Sequence, residues 1–229
     1  MTIGFRILPR AKTVKEDTIR AFGELPVANV SDNMSRMTSS WSLIRPFYKE
    51  GKRMAGPALT VKTRPGDNLM VHKAIALAQP GEVIVVDAGG DLTNSILGEI
   101  MVSLALKKGV VGFVVDGAIR DAEEIRTSGI AMFAAGVNHR GPYKDGPGEI
   151  NVPVAIDGMI VHPGDIVIGD GDGVLCVPAA EADTILNATM AKQDAEKKTL
   201  NEIAANEYDE TWVDVILATK GCEILQSKD

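Results

Sequence analysis

Two Val/Ile-rich runs, GEVIVVDAGG (81–90) and GFVVDG (112–117), each close on an aspartate, Asp87 and Asp116, 29 positions apart. Uninterrupted apolar runs of this kind suit strands covered on both faces. The spacing suits a βαβ crossover. Between them Ile96, Leu97, Ile100, Met101 and Leu104 recur at helical spacing and Gly109 supplies a stop, so a helix is expected between Thr93 and Lys108. The chain is therefore expected to be α/β around parallel strands.

Other elements follow from pattern and punctuation. Residues 13–23 read as an amphipathic helix, and a second short helix is expected over Ser31–Met37, capped by Ser31 or Asp32. Residues 41–52 read as loop plus edge strand, 57–63 as an alternating strand, His72–Ala78 as a helix and Ile130–Ala135 as a strand. A short helix is expected near Arg120-Asp121. Residues 138–150 (NHRGPYKDGPGEI) read as a flexible polar loop, followed by a compact β layer of four short strands at 152–156, 159–161, 165–168 and 173–177. A long charged helix (about 179–206) and a last one near 212–219 finish the chain. At 229 residues this is one domain with appendages. The expected boundary separates 1–180 from a helical extension, 181–229.

Composition excludes several classes. Aromatic residues are 4%, so the core must be aliphatic. Net charge is −7, with no Lys/Arg block to track a phosphate backbone, which disfavours nucleic-acid binding. Cys176 and Cys222 lack CxxC spacing, so neither a zinc motif nor a disulfide framework is expected, and a reducing compartment is. Arg6, Arg10 and Lys12 interrupt any signal-like apolar stretch, and no apolar run is long enough for a membrane span. A cytoplasmic location is the resulting expectation.

Residues 87–125 carry the chemistry. Ligands of α/β sheets sit beyond the carboxyl ends of strands. Here one strand end offers a Gly-rich turn into a helix, whose N-terminal amides suit an anion. Its neighbour offers Arg120 beside Asp121. A guanidinium fork matches a planar oxo acid. A single carboxylate with waters suits Mg²⁺. Gly98 inside a helical pattern costs on the order of 1 kcal/mol against Ala and asks for a reason. Taken singly, each of these residues also suits a solvated turn or exposed helix face.

Elsewhere the signals are bland. GDGDG (169–173) is neither GxGxxG nor an EF-hand loop, and a tight β-turn is expected. His72, His139 and His162 have no metal spacing to one another, although His139-Arg140 could approach a substrate carboxylate. Asp67-Asn68 reads as a helix cap or as cleft lining. Met34, Met37, Met70 and Met101 read as gap-filling core, and KQDAEKK (192–198) as a solvated helix face.

The stretch resembles the class II pyruvate aldolases that cleave 4-hydroxy-4-methyl-2-oxoglutarate and 4-carboxy-4-hydroxy-2-oxoadipate. The same family holds the regulator of ribonuclease E activity A. The resemblance rests on an acid, twenty residues, then Arg and an acid: Glu99, Arg120 and Asp121, with Glu124 three further on. Its frame is GPALTV (56–61), PGEVIVVD (80–87), VVDGAIRD (114–121) and VHPGDIVIGDGDGVLCVP (161–178), and it spans roughly residues 25–180. It implies a three-layer β/β/α swivelling-type domain, with trimers or hexamers whose sites lie at subunit interfaces. It implies that Asp121 holds a divalent metal (Mg²⁺, Mn²⁺ or Co²⁺) and that Glu99 orients water on it. Arg120 would contact the keto oxygen, and the amides of Gly98, Glu99, Ile100 and Met101 would hold the substrate carboxylate. The first acid is Glu here, where those aldolases carry Asp. The implied reaction is metal-assisted retro-aldol cleavage to pyruvate and a second oxo acid, with oxaloacetate decarboxylation as a side activity. Two alternatives stand beside it: a non-enzymatic regulator that binds a ribonuclease, and a related 2-oxo acid lyase with another substrate.

Overall fold

The computed structural model describes residues 2–41, 43–49, 51 and 53–223. Positions 42, 50 and 52 of the expected 41–52 loop, and 224–229 of the expected extension, lie outside them.

Four parallel strands form the centre: β3 (Met54–Thr63), β4 (Val83–Leu97), β5 (Gly112–Ile119) and β6 (Ala131–Val137). Asp87 and Asp116 are register partners on β4 and β5. On one flank β7 (Gly148–Ile150) runs antiparallel to β3 and β1 (Phe5–Ile7) parallel to β7. On the other, β2 (Arg45–Pro46) is an antiparallel edge on β6.

Alternation sorts the strand side chains between two faces. Leu59, Val61, Ile84, Val86, Phe113 and Val115 pack against α3 (Leu69–Leu77), α4 (Glu99–Lys107) and α5 (Ala122–Thr127). Val83, Val85, Val114 and Phe133 face the second layer: the hairpin of β8 (Val154–Ile156) and β9 (Met159–Val161), and that of β10 (Ile166–Asp170) and β11 (Gly173–Val177). β3 bridges the layers, since Met54–Pro57 pairs antiparallel with β10 and Ala58–Lys62 pairs with β4. Outside β10 and β11 lie α1 (Glu16–Gly23) and α2 (Val27–Asn33), with Phe22, Val27 and Val30 against Ile166, Ile168 and Leu175. The result is the three-layer β/β/α arrangement.

Four local expectations fail. The expected 138–150 loop ends in a strand, Gly148–Ile150. The second helix starts at Val27, not Ser31. Pro26 precedes it with φ −61°, and the amide of Val27 donates to Asp170 Oδ2 at 3.0 Å. That cap arrives from the GDGDG turn, where no local pattern could announce it. Met37 is 81% exposed and not core. Most consequentially, α4 begins at Glu99. Residues 88–97 stay in β4, which follows β5 as far as Ile119 through three register shifts. Ile96 and Leu97 are therefore strand residues, while Ile100 and Leu104 of the expected stripe point outward.

The chain divides into two compact units, Met1–Thr189 and Met190–Asp229. A 3₁₀ turn (Ala179–Glu181) leads into α6 (Ala182–Ala204), whose first turns place Ala182, Ile185 and Leu186 in the α1/α2 cluster. The second unit holds the rest of α6 and α7 (Thr211–Thr219), none of whose residues is buried. Among the described residues no helix is long and apolar enough to cross a membrane.

Candidate active site

The ends of β4 and β5 meet where the chain turns into α4 and α5. Leu97 and Ile119 are the last register pair, and the amide of Arg120 donates to Leu97 O at 3.0 Å. This brings Gly98-Glu99 and Arg120-Asp121, far apart in sequence, to one spot. Asp121 adopts a left-handed conformation, φ +55°, which costs a non-glycine residue energy and commonly marks a site. Its Oδ2 accepts the amide of Glu99 at 2.9 Å and lies 3.7 Å from Arg120 Nε. A Cβ on Gly98 would overlap Asp121 Oδ2 and stand 2.9 Å from Arg120 Cγ. Close approach, not conformational freedom, demands glycine there. On its other side Arg120 is flanked by Gly141, whose Cβ would lie 3.3 Å from Nη1.

Of the four amides named from sequence, Glu99's is spent on Asp121, and Met101's donates to Gly98 O at 3.1 Å. Those of Gly98 and Ile100 have no protein acceptor among the described residues. They open the N-terminus of α4, where backbone donors and helix dipole favour an anion. The Glu99 carboxylate is exposed beside them, and Glu124 is exposed on the first turn of α5. Arg120 and Asp121 are about two-fifths exposed, so both are reachable from solvent.

A cavity of about 160 Å³ adjoins Arg120, lined by Asn68, His72, Ile100, Pro142 and Lys144. Asn68 Nδ2 donates to Ile96 O at 2.8 Å, while its buried Oδ1 has no partner among the described residues. Burial, then Lys144, pushes the His72 imidazole below its ordinary pKa, which favours the neutral ring. His72 and Lys144 escape a reading by motif. The one signal for His72 is its i,i+4 spacing from Asn68, the residue that precedes α3, whose carbonyl accepts the His72 amide at 3.0 Å. His139 is exposed. A larger cavity, 530 Å³, lies at the opposite edge of the strands, but its buried acid, Glu82, is already paired with Arg10 and the amide of Gln79.

For a cation, the donor set is the Asp121 carboxylate with Glu99 adjacent. Among the described residues no three His, Cys, Asp or Glu side chains converge as a metal cage. One carboxylate open to solvent fits a hard ion that keeps most of its water, as Mg²⁺ does.

The family model described as RraA-like, Aldolase/RraA, matches residues 27–176. A protein of Halalkalibacterium halodurans, provisionally named 4-hydroxy-4-methyl-2-oxoglutarate aldolase, is 38% identical over 190 residues, covering 83% of this chain and 90% of that protein. A 4-hydroxy-4-methyl-2-oxoglutarate aldolase of Thermus thermophilus is 38% identical over 126 residues, 55% of this chain and 76% of its own length. Among solved structures, the RNA-processing inhibitor RraA from Thermus thermophilus superposes with a TM-score of 0.63 at 33% identity, over 68% of this chain and 93% of that one.

Proposed function

The chain belongs to the RraA-like family (Aldolase/RraA), and on that premise we propose that it cleaves a 4-hydroxy-2-oxo di- or tricarboxylic acid by a retro-aldol reaction. The substrate is 4-hydroxy-4-methyl-2-oxoglutarate or 4-carboxy-4-hydroxy-2-oxoadipate, and the products are pyruvate and a second oxo acid. The observation that carries this reading is the seat at Gly98, where Arg120, Asp121 and the start of α4 close on one another.

In this reading the amides of Gly98 and Ile100 receive the C1 carboxylate. Arg120 donates to the 2-oxo oxygen. Asp121 and, through water, Glu99 would hold a divalent cation (Mg²⁺, or Mn²⁺ or Co²⁺), which would supply Lewis acidity. Glu99 orients the water that takes the C4 hydroxyl proton. As the C4–O–H bond gives up its proton, a carbonyl forms at C4, the C3–C4 bond breaks and its electron pair becomes the pyruvate enolate. Arg120 stabilises the charge on the enolate oxygen, and protonation at C3 completes pyruvate. Oxaloacetate reaches the same enolate by losing CO₂. Lys144 lines the same cavity and in this reading would meet the distal acid.

Assembly as a homotrimer or homohexamer belongs to the proposal. It is supported by exposed Ile100, Leu104, Leu92 and Val137, an apolar set that favours association. Light scattering in solution tests it. The functional test is pyruvate release from 4-hydroxy-4-methyl-2-oxoglutarate and from oxaloacetate. Release is expected with Mg²⁺, and its loss with EDTA or in Asp121→Ala. Undiminished release in both would falsify the mechanism. The likeness to an RNA-processing inhibitor supports a second reading, a non-enzymatic regulator of a ribonuclease. Ribonuclease capture together with an inactive wild type decides for it, and a panel of 4-hydroxy-2-oxo acids separates related lyases.

A further inference from the structure

The loop 138–147 hangs from two anchors. At its start, Asn94 Nδ2 donates to Gly141 O at 2.6 Å, and the amide and Oγ of Ser95 donate to Arg140 O at 2.8 and 2.9 Å. Both side chains are buried, and their bonds set Gly141 against the Arg120 guanidinium. At its end the anchor is Asp67, a carboxylate with no solvent exposure. Oδ1 accepts the amide of Leu69 at 2.9 Å. Oδ2 accepts those of Asp145 at 2.7 Å and Gly146 at 2.9 Å, with Arg64 Nη2 at 3.3 Å. A buried carboxylate is tolerated when donors surround it in this way.

Capping α3 needs only the bond to Leu69. The other two amides belong to the loop, and they tie it down next to Pro142 and Lys144, which wall the cavity beside Arg120. The stretch between is held to the same corner: the amide of Asn68 donates to Tyr143 O at 3.0 Å, and that of Tyr143 to Gly66 O at 2.8 Å.

We propose that Asp67 is a positioning residue for substrate selection. It holds the Pro142–Lys144 wall where the distal acid of the substrate is read, while the Asn94–Ser95 anchor serves Arg120 and the pyruvoyl half. The inference rests on the aldolase reading above. Asparagine at 67 keeps the shape but replaces one acceptor oxygen with an NH₂ donor, so it cannot accept from both Leu69 and the 145–146 pair.

The test compares Asp67→Asn with the wild type, both full-length and Mg²⁺-loaded. Three quantities are read: deuterium uptake at amides 143–146, KM for 4-hydroxy-4-methyl-2-oxoglutarate, and deuterium exchange into the methyl group of pyruvate, which has no distal acid. In the variant, uptake and KM are each expected to rise about tenfold, while pyruvate exchange stays within about twofold. Unchanged uptake and KM overturn the proposal. So does an equal loss of diacid cleavage and pyruvate exchange in a folded variant, because a merely structural residue would give that pattern. Should Asp67→Asn not fold, Lys144→Met carries the test: KM for the diacid is expected to rise about tenfold, and an unchanged KM overturns the assignment. A wild type that neither cleaves the diacid nor exchanges pyruvate removes the aldolase reading instead, and uptake at 143–146 then judges the anchor by itself.

Discussion

Two acidic pairs lie along the same two chain segments, one within β4 and β5 and one just past their ends, and their surroundings differ. Asp87 and Asp116 face each other in the regular part of β4 and β5, on the side that packs the β8–β11 layer. Lys62 Nζ lies 3.8 Å from Asp87, and the amide of Asp157 donates to Asp116. Burial, together with the charges of Asp87 and Asp157, raises the Asp116 pKa. Glu99 and Asp121 come together only after β4 has lost register with β5, and there they join Arg120 and a helix start. The same Val-Val-Asp motif closes both runs. A pair in register makes a partly neutralised strut, whereas irregularity at the strand end leaves acid, guanidinium and amides open to solvent together.

Substitutions on either side can break or sharpen this contrast. The largest effect is expected for Asp121→Asn, with kcat/KM for the diacid falling about a thousandfold, several kcal/mol of transition-state stabilisation. Asp116→Asn should stay within about twofold, as expected of a group outside the site. If both fell alike, the contrast would collapse. Gly98→Ala comes next. The added methyl displaces Arg120 and Asp121, and a misplacement of that order costs about a hundredfold. Steady-state rates on a variant with an unaltered melting curve check this, and full activity would mean that the close seat is not needed.

The smallest effect concerns stability at the regular pair. Folded Asp116 holds its proton more tightly than the unfolded chain does. As pH rises from the ordinary aspartate range through the raised folded value, the unfolded state sheds its proton first, and stability contributed by this group is lost. Asp116→Asn should therefore melt higher than the wild type at neutral pH, and the gap should close on acidification. Scanning calorimetry across that window would show a pH-independent gap if the group titrated normally.

Much of this was legible in order along the chain. The β4–α4–β5 unit, the GDGDG turn and the pairing of Arg120 with Asp121 follow from periodicity and spacing. The role of Gly98 was legible only as a cost in search of a reason, which proved to be the overlap a Cβ would make with Asp121. For residues 138–150, polar, Gly- and Pro-rich composition shows a loop and hides both the strand at its end, Gly148–Ile150, and the bonds that hold 140–146. Its anchors are 45, 47 and 78 positions away, at Ser95, Asn94 and Asp67. The start of α2 was misplaced for the same reason, since the acceptor for Val27 is 143 residues distant.

The residue pattern by itself determined an aliphatic α/β chain with parallel strands and an acid–Arg–acid constellation at their ends, because alternation and strand-end chemistry are local properties. Where β4 stops and α4 begins was decided only in three dimensions. Three further pairings with β5, at Asp91, Ser95 and Leu97, keep residues 88–97 in the strand, and local helical spacing does not announce them. That choice sets which amides at the start of α4 stay free of protein acceptors among the described residues.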